Sequence, residues 1–148
     1  MRVADIGAGY GYFAFPAAEA VGLEGMVYAV EPDPKRAAEI SRRVEERGVK
    51  NIEVVVAGAE DLSGIHSEGV DVCNSMSSFH HFADPSRALL EMRRIVKPGG
   101  LVYVRDMKPG RFFKHGSRSE EFRLAVSRQL PGADFEEGSG YVSARFRV

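Results

Sequence analysis

A three-layer α/β/α sandwich on a mostly parallel sheet is the fold that this sequence predicts, and three observations carry it. Short apolar runs alternate with helical stretches through residues 1–106, the pattern of strands joined by helical crossovers. Polar and glycine-containing segments follow the strands at one end only, and open parallel sheets take ligands at that edge. The first such segment is a glycine turn, Gly7-Ala8-Gly9-Tyr10-Gly11, entered from an acid, Asp5.

The elements follow in order. Arg2 to Ile6 reads as a buried strand. Tyr12 to Val21 has helical composition through Ala14, Ala17, Ala18 and Ala20. Pro16 lies near enough to the first turn that its missing N–H costs little. Gly22 and Gly25 stop that helix, and Met26 to Val30 is the second strand. Glu31-Pro32-Asp33-Pro34 breaks it, and Lys35 to Arg47 is an amphipathic helix closed by Gly48. Val49 to Val56 reads as the third strand, Ala57 to Ser67 as loop, and Val70 to Met76 as the fourth strand. Ser77 to Asp84 is loop or a short turn. Ser86 to Val96 is a helix with Leu89, Leu90, Met92, Ile95 and Val96 turned inward. Pro98-Gly99-Gly100 ends it before a fifth strand, Leu101 to Val104. Further on, Ser117 to Leu130 is helical, with Phe122, Ala125, Val126 and Leu130 on one side, and Tyr141 to Val148 alternates as a last strand. Its partner is a poor candidate near Ala133 to Glu136, so a sheet one strand short, or one completed across a dimer, is expected.

Length and composition bound the class. A chain of 148 residues, 44% hydrophobic and 28% charged, reads as one domain, 1–148, with a core over 1–106 and a divergent part over 107–148. A formal net charge of -1 gives nucleic-acid binding no support. The single cysteine, Cys73, excludes an internal disulfide and reads as a small buried hydrophobe. The four histidines show no metal-ligand spacing, so no metal is expected. No apolar run approaches the ~20 residues that span a bilayer. The N-terminus shows no charged-then-apolar leader, and a reducing cytoplasm is the expected compartment.

The turn narrows the ligand. Glycines permit positive φ and remove the Cβ that keeps a ligand off the backbone. The dinucleotide fingerprint wants glycine at the first, third and sixth positions. Counted from Gly7 the sixth is Tyr12, and the phosphate-loop ending is absent as well. Asp5, two residues before the first glycine, opposes a pyrophosphate and suits a cationic ligand. Glu31, at the end of the second strand, is placed to accept hydrogen bonds from ribose hydroxyls. A ribose-bearing ligand with a positive centre and no phosphate matches S-adenosylmethionine.

These residues resemble the class I S-adenosylmethionine-dependent methyltransferases, in the small-molecule branch that includes the ubiquinone and menaquinone biosynthesis enzymes. Val3 to Gly11 resembles the first motif, Val27 to Pro32 the second strand with its ribose acid, and Ala57 to Leu62 the adenine-side loop. Val70-Asp71-Val72, Phe79 to Pro85 and Ala88 to Gly100 are similar to the segments leading to the fifth strand, so the resemblance covers residues 2–106. It implies a Rossmann-like methyltransferase sandwich, here without the usual N-terminal cap helices. It also implies that backbone over Gly7, Ala8, Gly9, Tyr10 and Gly11 faces the methionine part, with Asp5 supporting the turn. Glu31 takes the ribose, Pro32 and Ala59 lie by the adenine, and Asn74 and Ser75 line the methyl-transfer side. Two departures stand out. Gly58 occupies a place where the family usually has Asp or Asn, so either Glu60 substitutes or a contact worth about 0.5–1.5 kcal/mol is lost. Helices expected before the first strand are absent, which leaves the site open or closed by a second copy or a partner subunit.

The implied chemistry is a one-step displacement at the sulfonium methyl, with a small-molecule acceptor and no membrane. Alignment and desolvation are its main demands. A base is needed only if the acceptor arrives protonated, and the candidates are His80, His81 and Asp106. His66 and His115 read as surface residues. Arg105, Lys108, Arg111, Lys114, Arg118, Arg123 and Arg128, with Phe112 and Phe113 among them, form a basic stretch. It reads first as a solvated helix face, with Phe112-Phe113 as a lid or an oligomer contact. The alternatives are an rRNA or protein methyltransferase using that stretch, and a cofactor-binding subunit inactive without its partner.

Overall fold

The computed structural model describes residues 1–110 and 114–148, so the reading of Phe112-Phe113 lies outside the described residues. Seven strands form one sheet in the order β3-β2-β1-β4-β5-β7-β6. The first five in the chain are β1 (Arg2–Ile6), β2 (Met26–Val30), β3 (Ile52–Val55), β4 (Val70–Met76) and β5 (Val96–Met107), and all pair in parallel. They are joined through α1 (Ala14–Val21), α2 (Pro34–Arg47) and α3 (Pro85–Ile95), with a 3-10 turn at Phe79–His81 before α3. After α4 (Ser119–Gln129), β6 (Asp134–Glu137) and β7 (Tyr141–Arg147) close the sheet antiparallel.

Side-chain alternation along the strands divides the core in two. Val3, Val27 and Ala29 pack with Ala14, Ala18 and Ile40 beneath α1 and α2. Ala4, Ile6 and Val30 face the other way, in the cluster that holds Leu89, Met92 and Ile95 of α3 and Phe122 and Val126 of α4. The sheet is therefore covered on both faces, as parallel sheets require. Two of the helices that follow ligand-edge loops, α2 and α3, begin at an Asp-Pro pair. Asp33 accepts from Lys35 N, Asp84 accepts from Arg87 N, and the prolines take the first helical positions.

Three elements differ from the sequence reading. The third strand starts at Ile52, not Val49, because Val49 N donates back to Val44 O in the cap of α2. Asn51 is then committed to α1, its amide donating to Ala18 O and Gly22 O at 2.7 and 2.9 Å. The fifth strand starts earlier, at Val96, which pairs with Val70 before a register shift lets Leu101 pair with Val72. Pro98-Gly99-Gly100 is the bulge inside it; a Cβ at Gly100 would lie 2.7 Å from Asp71 O, so only glycine passes. The sheet is not one strand short either. β6 pairs with β7 from Asp134↔Arg145 to Glu137↔Val142, and β7 inserts beside β5.

Candidate functional site

Where β1, β2, β3 and β4 end, their loops enclose a cleft of about 870 Å³. The glycine turn forms its floor. Gly7 N and Ala8 N both donate to Val30 O at 2.9 Å, which locks the turn onto the end of β2. Gly7 has φ +76°, and a Cβ there would overlap the Ser78 hydroxymethyl group. Ser78 Oγ lies 3.1 Å from Gly7 O, which it can reach as a donor, so the loop after β4 clamps the turn from the other side. Gly9 has φ +58° with nothing within 4 Å of a Cβ position, so its face is open.

Two buried carboxylates stand beside that floor. Glu31 is 2% exposed; its Oε2 accepts from Gly9 N at 2.8 Å and its Oε1 from Asp33 N at 3.1 Å. A carboxylate offers about four lone-pair sites, so both oxygens retain capacity for ribose hydroxyls. Arg36 Nη1 approaches Glu31 Oε1 at 3.8 Å. Asp5 is 3% exposed, and its Oδ1 accepts from Asn74 Nδ2 at 3.3 Å while its Oδ2 has no partner. Burial pushes the Asp5 carboxyl up to about 7, the Asn74 hydrogen bond opposing and the nearby Glu31 charge assisting. An unpartnered buried oxygen costs free energy, and a cationic group entering the cleft would relieve it. The residues present thus fit a ligand with an ammonium and a ribose.

The cleft gathers Asp5, Gly7, Ala8, Gly9, Glu31, Pro32, Gly58, Ala59, Glu60 and His81 from the residues singled out in the sequence. Tyr10, Gly11, Asn74, Ser75, His80 and Asp106 do not line it. Arg43 holds the Tyr10 carbonyl, and the Tyr10 ring stands edge-on to Tyr12. A Cβ on Gly11 would sit 2.9 Å from the Phe15 ring, so Gly11 serves helix packing. Asn74 pairs with Asp5 one strand over, and Ser75 is fully buried. At Gly58 the missing side chain's place is taken: Glu60 Oε2 lies 2.9 Å from a Cβ position there, while Glu60 Oε1 accepts from Asp84 N.

Several lining residues carried no signal in the sequence. Tyr12 and Phe13 enter from just ahead of α1, Arg36 from α2, Met76 from the end of β4, and Ser77, Ser78 and Phe82 from the segment after it. Ser77 is one of two non-glycine residues with positive φ among the described residues, at +59°. That strain turns the chain from β4 toward the glycine turn. The only available hint was that Ser77 to Asp84 follows a strand at the ligand edge.

Three cations of the basic stretch are committed elsewhere. Lys108 and Arg123 both pair with Glu137, and Arg105 stacks over the Tyr141 ring at 4.1 Å. Arg111 lies outside the described residues. Among the described residues no group of three His, Cys, Asp or Glu side chains is placed to hold a metal, and no helix is long and apolar enough to cross a membrane.

Fold and cleft together define a class: a doubly wound, Rossmann-like sheet with a bare glycine turn and two buried carboxylates at its carboxyl edge. Residues 4–104 match the family model described as "Methyltransferase domain", and the chain belongs to that family. It is similar to the aklanonic acid methyltransferase DauC of Streptomyces sp. (strain C5), 35% identical over 101 residues, covering 68% of this chain and 46% of that one. The ubiquinone biosynthesis O-methyltransferase of Thiobacillus denitrificans is 29% identical over 102 residues, covering 69% of this chain and 42% of that one. The chain thus spans less than half the length of these curated relatives. Among solved structures, a SAM dependent methyltransferase from Aquifex aeolicus superposes with a TM-score of 0.86 at 22% identity, covering all of this chain and 82% of that one; it speaks to the fold.

Proposed function

We propose that this chain binds S-adenosylmethionine and transfers its methyl group to a small organic acceptor. The observation that carries the reading is Asp5, a buried carboxylate with one unpartnered oxygen under an open glycine turn, with Glu31 beside it. Bound there, the cofactor supplies an electrophilic methyl on a positively charged sulfur. Asp5 holds the ammonium, Glu31 the ribose hydroxyls, and the Gly58-Ala59-Glu60 loop the adenine side. Phe13, Met76 and Phe82 supply apolar wall that excludes water from the reacting atoms. Relatives named for aklanonic acid and for ubiquinone biosynthesis support a small organic acceptor. The pairing of Lys108 and Arg123 with Glu137 weighs against a nucleic-acid acceptor read by that stretch.

Calorimetry with S-adenosylmethionine and with S-adenosylhomocysteine tests the reading. Binding tighter than about 1 mM is expected for both, and absence of heat from either ligand at that concentration overturns it.

A further inference from the structure

Of the three candidate bases, the structure separates one from the other two. Asp106, at the end of β5, is fully buried and accepts four hydrogen bonds. His80 N and Ser117 Oγ donate to its Oδ2 at 3.0 and 2.6 Å, and His80 Nδ1 and Met107 N meet its Oδ1 at 2.8 and 3.0 Å. A carboxylate with four donors is saturated and has no lone pair directed at a substrate. His80 is fixed by the same carboxylate: the ring nitrogen that faces an acceptor carries the proton, which sets its tautomer. Its side chain is 11% exposed, and it does not line the cleft. These two residues fasten the 3-10 turn to the sheet.

His81 is the residue that this fastening presents. Its N–H donates to Ser78 O at 2.9 Å, and its ring lies 4.0 Å from the His80 ring at 45°. It faces the cleft between Ser78 and Phe82, and among the described residues its ring nitrogens have no hydrogen-bond partner. We propose that His81 is the proton acceptor of the methyl transfer, with His80 and Asp106 as positioning residues. The proposal rests on the reading of the cleft as a sulfonium-cofactor site, and it implies an acceptor with a weakly acidic hydroxyl, of the phenol or enol kind. Such a group keeps its proton at neutral pH and needs a base.

The charges around His81 favour its neutral, accepting form. Desolvation lowers its pKa first, then the His80 ring on the same turn; Asp106 of β5 pulls the other way, and Arg36 of α2 and His115 after β5 push it further down. As the acceptor oxygen bonds to the methyl carbon, its proton passes to a ring nitrogen of His81. The carbon–sulfur bond breaks with its electron pair staying on sulfur, which leaves a neutral thioether. The imidazolium then releases the proton to water.

Nuclear magnetic resonance of the full chain tests this, with the His81 ring assigned by its loss in His81→Gln. The titration midpoint of His81 is followed alone, with S-adenosylhomocysteine, and with S-adenosylmethionine. Only the latter brings a positive sulfur, so it should lower the midpoint by about one pH unit more than the former. In Asp106→Asn that still binds S-adenosylhomocysteine, this difference should shrink, since the turn is no longer fastened. Equal midpoints with the two ligands, or a ring already cationic at neutral pH, overturn the assignment of His81. An undiminished difference in Asp106→Asn overturns the positioning role. If calorimetry detects neither ligand, it is the reading of the cleft that fails instead.

Discussion

Changing Asp5 to asparagine sets the stability of the fold against the use of the cleft. The folded chain keeps the Asp5 proton until about pH 7, whereas the unperturbed carboxyl gives it up near 3.8. Between those values the folded state binds the extra proton, so stability falls as pH rises, and above about 7 the whole penalty is in place. A displacement of that size corresponds to about 4 kcal/mol. The substituted amide keeps an oxygen for Asn74 to donate to but leaves its own NH₂ without a partner, which costs about 1–3 kcal/mol. The ligand-free Asp5→Asn variant should therefore be more stable than the parent by about 1–3 kcal/mol at about pH 8, and no more stable at about pH 4. Urea unfolding at the two pH values measures this. The same variant should lose affinity for S-adenosylhomocysteine by about 10-fold or more, because a charge-assisted hydrogen bond to the ammonium is gone. In the parent that affinity should rise with pH through about 7, and in the variant it should stay level. A variant less stable than the parent at the higher pH, or one with unchanged affinity, refutes the account of Asp5.

Three further outcomes follow from the same geometry. Glu31→Ala removes the acceptor of Gly9 N as well as the proposed ribose contact, so calorimetry should show a loss of about 2–3 kcal/mol in cofactor affinity, and unchanged affinity removes Glu31 from that role. Gly7→Ala forces a Cβ into the Ser78 hydroxymethyl group at φ +76° and should cost about 2–4 kcal/mol in denaturant unfolding; a loss no larger than that of a surface substitution counts against the clamp. Phe122→Ala empties a fully buried site under α4 that touches Phe79 at 4.9 Å between ring centroids. About 3–5 kcal/mol should be lost, and a smaller loss means that the divergent C-terminal part contributes little to the core.

How much could be read from the sequence depended on where specificity is stored. β2 announces itself because a strand buried on both faces must be apolar along its length, and β1 and β4 show the same signal in the apolar runs Val3-Ala4 and Val72-Cys73. The glycine turn, Glu31 and the Gly58 loop were legible because each directly follows a strand. β6 was nearly invisible: Asp134-Phe135-Glu136-Glu137 is acidic, and Glu136 and Glu137 spend their charge on Tyr141, Lys108, Ser119 and Arg123. A short, charged edge strand is how a sheet avoids pairing with another chain, so the feature that protects it hides it. The pairing of Asn74 with Asp5 was hidden for a different reason. Its register opposite Asp5 puts both side chains on one face of the sheet, and register is a property of strand pairing. Arg36, Tyr12 and Ser78 reach the cleft through the angles at which α1, α2 and the loop after β4 meet the turn, which no local pattern encodes.

Asp5 and Glu31 share one cleft, nearly buried, and the Glu31 charge raises the Asp5 carboxyl. Two such acids repel each other and any anion. Arg36 relieves Glu31 only in part, at 3.8 Å and with its own side chain 47% exposed. An arrangement that keeps an unpartnered carboxylate oxygen beneath bare glycine backbone destabilises the empty fold once Asp5 ionises, and positive charge arriving in the cleft would offset that cost. A pyrophosphate would meet the opposite of what it needs, even though helix α1 points its N-terminus toward the same region. The lack of a sixth glycine strengthens the case, since Tyr12 is 80% exposed at the mouth and stands where a dinucleotide turn needs a bare backbone. The proposed choice of ligand therefore rests on the charge of the floor more than on the shape of the turn.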